Sequence, residues 1–153
     1  MMRTLHFTTH IARPVAEVYT HLANPQNFIG LQPLLIEMSP AQTVIENDLP
    51  VQSYETVEAF RIGGRIVYRN RIRVKTTLTK TNERIDTLVH SPGGVTLQVQ
   101  YLFTPEDETR GTCLTEIMDI HMPRLMAGFV VKQATQAQTA VMERLKTRLE
   151  ATS

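Results

Sequence analysis

From Arg124 to Leu149 the chain repeats apolar residues at the period of a helix. Projected at about 3.6 residues per turn, Met126, Val130, Ala134, Ala137, Val141 and Leu145 fall in one sector. Phe129 and Leu149 flank that sector, and Lys132, Thr139, Glu143 and Lys146 lie opposite. A long amphipathic helix of this kind must bury one face, so the rest of the chain has to supply an apolar wall for it. The middle of the face is small. Ala134, Ala137 and the bordering Ala140 stand where a tightly packed helix carries Leu or Ile, which leaves room between helix and wall.

The wall is written upstream. Leu5, Phe7 and Ile11 alternate with His6, Thr8 and His10, the period of a half-buried strand over residues 3–11. Pro14 suits the first turn of a helix, and Val15, Val18, Tyr19 and Leu22 give residues 14–23 an apolar stripe. Asn24-Pro25 ends that helix and is placed to cap a second short one over 26–31, which Gln32-Pro33 breaks. Residues 34–47 read as a strand interrupted near Ser39-Pro40. From residue 51 the chain becomes a meander of strands at 51–62, 65–79, 84–91, 95–103 and 112–122, separated by turn-forming residues. An antiparallel sheet is the expectation.

Hairpin loops fix which residues share a face. A three-residue Pro92-Gly93-Gly94 loop pairs Ser91 with Val95, Val89 with Leu97 and Ile85 with Tyr101, so apolar meets apolar. At the other glycine pair two loops compete. A three-residue Gly63-Gly64-Arg65 loop pairs Ile62 with Ile66, Phe60 with Tyr68, Glu58 with Asn70, Thr56 with Ile72 and Tyr54 with Val74. A two-residue Gly-Gly turn opposes Glu58 to Arg69 and makes it an exposed ion-pair member. The first keeps aromatic and β-branched partners together and is the expected one. The inner face then carries Tyr54, Thr56, Glu58 and Phe60; Ile66, Tyr68, Asn70, Ile72 and Val74; Thr87, Val99, Tyr101, Glu116 and Met118, among others. Arg65, Arg69, Arg71, Arg73, Lys75, Asp86, Gln98, Gln100, Thr115 and Asp119 fall on the outer face, so one side is greasy and the other wet.

A chain of 153 residues suits one domain spanning 1–153, large enough to bury a core without disulfides or metals. A net charge of +1 with 42% hydrophobic residues argues against disorder and against nucleic-acid binding. Cys113 is the sole cysteine, the first residues lack the apolar core of a signal peptide, and no apolar run reaches membrane-spanning length. The expectation is a cytoplasmic protein without membrane insertion, a monomer or homodimer.

A strand, two short helices, a long antiparallel meander and a closing helix across the sheet follow the order of an α+β helix-grip fold, a curved antiparallel sheet wrapped around the C-terminal helix. The chain resembles the START-like (SRPBCC) superfamily, in particular its polyketide cyclase/dehydrase and lipid-transport group. The likeness is carried by Phe7-Thr-Thr-His-Ile-Ala-Arg-Pro-Val-Ala-Glu-Val-Tyr-Thr-His-Leu-Ala-Asn-Pro-Gln-Asn-Phe28, by Gly111-Thr-Cys-Leu-Thr115 and by the closing helix. Many members place a tryptophan soon after the Asn-Pro, whereas this chain has Phe28-Ile-Gly-Leu-Gln32 and no tryptophan. The resemblance implies a cavity for a hydrophobic molecule between sheet and helix. The alanine-rich helix face and the inward polar groups point the same way, because an unpaired buried carboxylate costs several kcal/mol in a dry core.

Tyr54, Thr56, Glu58, Tyr68, Asn70, Tyr101 and Glu116 are the candidate polar lining. Thr87, Val99, Met118 and, from the helix, Met126, Val130, Ala134 and Ala137 complete the expected ligand-binding set. The partner is a hydrophobic or amphipathic small molecule, held for transport or sequestration. An alternative is a polyketide aromatase/cyclase or dehydrase in which Glu58 or Glu116, its pKa raised by burial, acts as general acid/base while Tyr68 or Asn70 stabilises an enolate oxygen. A third is an interaction module using the row Arg65, Arg69, Arg71, Arg73 and Lys75, with Glu55, Asp86 and Asp119 near enough to neutralise part of it. No cofactor or metal is expected, since His6, His10, His21, His90 and His121 have no zinc-site spacing, although His6 and His10 could approach His121 across adjacent strands. Cys113 reads as a small strand residue.

Overall fold

The computed structural model describes residues 1–62, 64–108 and 110–151, without the side chains of 60–62, 66 and 67. Gly63 of the expected turn, and the expected inward side chains of Phe60 and Ile66, therefore lie outside the described residues. In order, the elements are β1 (Met2–Ile11), α1 (Val15–Ala23), a 3-10 turn (Pro25–Phe28), β2 (Leu35–Met38), β3 (Gln42–Glu46), β4 (Leu49–Ile62) and β5 (Arg65–Lys80). They continue through β6 (Arg84–Ser91), β7 (Val95–Pro105), β8 (Thr112–His121), a second 3-10 turn (Arg124–Met126) and α2 (Ala127–Glu150). The eight strands form one antiparallel sheet in the order β1-β8-β7-β6-β5-β4-β2, with β3 on the same edge of β4 as β2. β1 and β2 stay at opposite edges, so the sheet curves around the helix without closing. This is the α+β helix-grip architecture.

The β6–β7 ladder has the expected register, Ser91 to Val95 through Ile85 to Tyr101. The β4–β5 ladder combines the two loops. Tyr54 pairs with Val74, Glu58 with Asn70 and Phe60 with Tyr68, yet at the tip Arg61 pairs with Ile66 and Ile62 with Arg65. A bulge at Val67 absorbs the extra residue, so a tight tip coexists with the register that turns Glu58 inward. The expected helix over 26–31 is shorter than the spacing suggests. Asn24 Oδ1 accepts from Gln26 N at 3.1 Å and caps one 3-10 turn, after which Ile29 is extended and Gly30 takes φ +84°. That left-handed backbone favours glycine, and a Cβ at Gly30 would sit 2.9 Å from the Arg148 guanidinium.

Arg148 explains why the chain turns there. Its guanidinium donates to Asn27 O at 2.6 Å and Ile29 O at 2.9 Å, and it approaches His21 Nε2 at 3.2 Å. Nearby, Arg13 Nε donates to Leu149 O at 2.9 Å and Ala12 N donates to Glu150 Oε2 at 2.8 Å. The C-terminal half of α2 is thus tied to β1, α1 and the loop after α1, and it buries Val141, Met142, Leu145 and Leu149. Those side chains join Ile11, Val18, Leu22, Leu31, Ile85, Phe103 and Leu114 in the core, with Tyr19 edge-on to Phe103 at 5.4 Å. In the first ten residues of α2 only Ala127 is buried, and Phe129 is 56% exposed. Core fills one end of the grip; the other end is open space.

Candidate functional site: a two-ended cavity

A cavity of about 760 Å³ lies between the inner faces of β4–β8 and the N-terminal half of α2, a size that suits a small organic ligand. Alternation along the strands sets its lining. β4 contributes Gln52, Tyr54, Thr56 and Glu58; β5 contributes Tyr68, Asn70, Ile72, Val74 and Thr76. Thr87, Val99, Tyr101, Glu116 and Met118 come from β6, β7 and β8. Facing them are Met126 at the end of the second 3-10 turn and, from α2, Phe129, Val130, Gln133, Ala134, Ala137 and Gln138, the spacing of one helical face. All fourteen residues singled out from the sequence as the binding set lie on this wall, whereas Val141 and Leu145 pack in the core beyond it.

The polar groups gather at two ends. At the deep end Glu116 is fully buried and pairs across the ladder with Tyr101. With its amide nitrogen facing the carboxyl, Gln138 donates to Glu116 Oε2 at 3.1 Å and Oε1 at 3.2 Å. Burial pushes the Glu116 carboxyl up to about 8, while its hydrogen bond to Tyr101 pulls the other way. Burial, with the neighbouring carboxyl, also drives the Tyr101 phenol well above its ordinary value. At the outer end Asn70 Nδ2 donates to Ser91 Oγ at 2.7 Å, and the Tyr68 hydroxyl donates to Asn70 Oδ1 at 3.4 Å. Tyr68 is 53% exposed, so it lies at the rim rather than inside as its parity suggested. Glu58 stands opposite Asn70, has no hydrogen-bond or ion-pair partner among the described residues, and is pushed up to about 7 by burial.

Between the ends the wall is mainly apolar, crossed by the Thr76–Thr87 hydroxyl contact at 3.1 Å and the Tyr54 hydroxyl hydrogen-bonded to Thr76. Gln52 Nε2 donates to Ala23 O at 2.8 Å, leaving its buried Oε1 without a partner among the described residues. Among the described residues no Arg, Lys or His lines the cavity. Gln52, Thr76 and Gln138 were not in the expected set. Gln52 and Thr76 share the parity of Tyr54 and Val74, and Gln138 lies one turn beyond Ala134, so the periodicity contained them even though their polarity suggested exposure.

The outer cationic row is only partly free. Arg71 pairs with Glu55 at 3.2 Å and Lys75 with Glu46 at 2.9 Å. Asp86 instead serves Arg84 at 2.9 Å, and Asp119 accepts from Thr4 at 2.7 Å, so neither neutralises the row. In the β1–β8 ladder His121 faces Met2, His6 faces Ile117 and His10 faces Cys113, which separates the histidines. Among the described residues no cluster of His, Cys, Asp and Glu is placed to hold a metal, and no helix is long and apolar enough to cross a membrane.

Solved structures with this architecture include the Zhui aromatase/cyclase from a Streptomyces species, R1128, with TM-score 0.71 and 17% identity over 99% of this chain and 98% of that one. A START superfamily protein from Mycobacterium smegmatis has TM-score 0.73 and 15% identity over 98% and 99%. The di-domain aromatase/cyclase BexL of the BE-7585A biosynthetic pathway has TM-score 0.74 and 14% identity over 99% of this chain and 51% of its own. No curated protein matches the sequence. These likenesses show that the chain has the START-like helix-grip fold. Within it, the chain belongs to the family described as "Domain of unknown function (DUF7053)", whose model matches residues 9–151.

Proposed function

We propose that the chain binds a hydrophobic or amphipathic small molecule between sheet and α2, for transport or sequestration. The observation that carries this reading is the cavity of about 760 Å³ beneath Ala134 and Ala137, with a mainly apolar middle and carboxyl groups at its two ends. Filling it removes apolar wall from water at roughly 25 cal/mol per Å², while the polar ends orient the occupant. Titration with the neutral fluorophore Nile red tests this. A saturable rise in fluorescence at one dye per chain is expected, competed by added long-chain alcohols; no saturable binding would contradict it.

A second reading, polyketide cyclisation or dehydration, is favoured by Glu116. A carboxyl held near 8 is protonated at neutral pH and can act as a general acid, with the Tyr101 hydroxyl beside a developing enolate oxygen. Binding is preferred because Gln138 and Tyr101 already engage that carboxyl. Cyclisation of a poly-β-ketone thioester by the native chain but not by Glu116→Gln would reverse the preference.

A further inference from the structure

We infer that the occupant is an amphiphilic amine, an apolar body carrying one protonated nitrogen that pairs with Glu58 at the outer end of the cavity. The inference rests on the binding reading above and names the chemistry of its ligand. The carboxyl of Glu58 faces the cavity with no partner among the described residues, which is a costly arrangement for a half-buried acid. A ligand that supplies a cation removes that cost. One that supplies a carboxylate or phosphate adds a like charge where no described lining residue offers compensation. The rings of Tyr54, Tyr68, Tyr101, Phe28 and Phe129 also line the space, and aromatic faces attract a cation where aliphatic walls do not.

The surroundings of Glu58 make the pairing sensitive to pH. Asn70 stands across from it on β5 with Tyr68 on the diagonal, and Leu35 stands across from it on β2. Arg69 and Arg71, on the same strand as Asn70, have the opposite parity, and Arg71 is held by Glu55. The lining residues of α2 are uncharged, and the remaining titratable groups on the wall are Tyr54, Tyr101 and the distant Glu116. A carboxyl titrating near 7 ionises between pH 6 and 8, where an alkylamine of pKa about 10 stays protonated.

Displacement of Nile red by decylamine, 1-decanol and decanoate, matched in body and different in head group, tests the assignment at pH 6 and pH 8. Decylamine should bind about tenfold tighter than decanol at pH 8, with decanoate weakest, and the amine's advantage should shrink several-fold at pH 6. Glu58→Gln should bring the amine down to the alcohol while decanol binding stays within about twofold, which also shows that the variant is folded. Should the variant fail to fold, the pH dependence of the native chain decides alone. Decanol or decanoate matching decylamine, or a preference unchanged by Glu58→Gln, would overturn the amine assignment and leave cavity binding intact. Failure of all three to displace Nile red would overturn both.

Discussion

Glu116→Gln is expected to raise the melting temperature strongly at pH 9 and by only a few degrees at pH 5. The carboxyl titrates near 8 in the folded chain, well above its value of about 4.3 when unfolded. Below the unfolded value both states are protonated and folding is not penalised. Between the two values the unfolded chain releases a proton that the folded chain keeps, so stability falls as pH rises. Above 8 the loss is complete, because the folded chain then holds a buried carboxylate. Across that window the penalty is on the order of 5 kcal/mol, or a melting shift of about 10–20 °C for a chain of this size. Glutamine keeps the shape and the contacts to Gln138 and Tyr101 without the ionisation, so the variant should show a nearly flat profile where the native chain slopes. Differential scanning fluorimetry from pH 5 to 9 measures this. Parallel profiles for the two chains would mean that Glu116 ionises freely and is not enclosed as described.

Ala137→Leu should weaken Nile red binding by at least about thirtyfold, roughly 2 kcal/mol, while lowering the melting temperature by no more than a few degrees. Ala137 is buried, 4% exposed, yet it lines the cavity rather than packing into the core. A leucine there extends into the space the ligand needs. Had α2 been tightly packed at this position, the same change would overpack the interior and cost about 1–3 kcal/mol of stability. Binding and stability therefore separate the two geometries, and equilibrium titration beside a thermal melt measures both. Severe unfolding with unchanged affinity in the residual folded protein would place Ala137 in the core.

The two predictions draw on features that differed in how openly the sequence shows them. The strands, the closing helix and the inward parity of Tyr54, Thr56 and Glu58 follow from periods of two and 3.6, which a single mis-set residue would invert. The pairing of Phe60 with Tyr68 was legible, whereas the tight tip beyond it was not, since loop arithmetic assumes a ladder without bulges and Val67 makes one. Gln138 was hidden for another reason. Its role depends on Glu116, a residue on a different element, and only the folded arrangement brings the two to 3.1 Å. The rim position of Tyr68 likewise reflects how far α2 covers the sheet, a property of the helix's placement rather than of the strand's alternation. The anchoring of α2 by Arg148 to the carbonyls of Asn27 and Ile29 left no periodic trace, because backbone acceptors carry no sequence signature.

Native mass spectrometry of the protein purified gently from cells tests the cavity most directly. The native chain should fly with a fraction carrying one non-covalent, lipid-sized adduct, and Ala137→Leu prepared identically should fly bare. An adduct whose retention rises with pH between 6 and 8 would agree with an amine at Glu58. Uniformly bare native protein that also fails to take up Nile red would contradict the account.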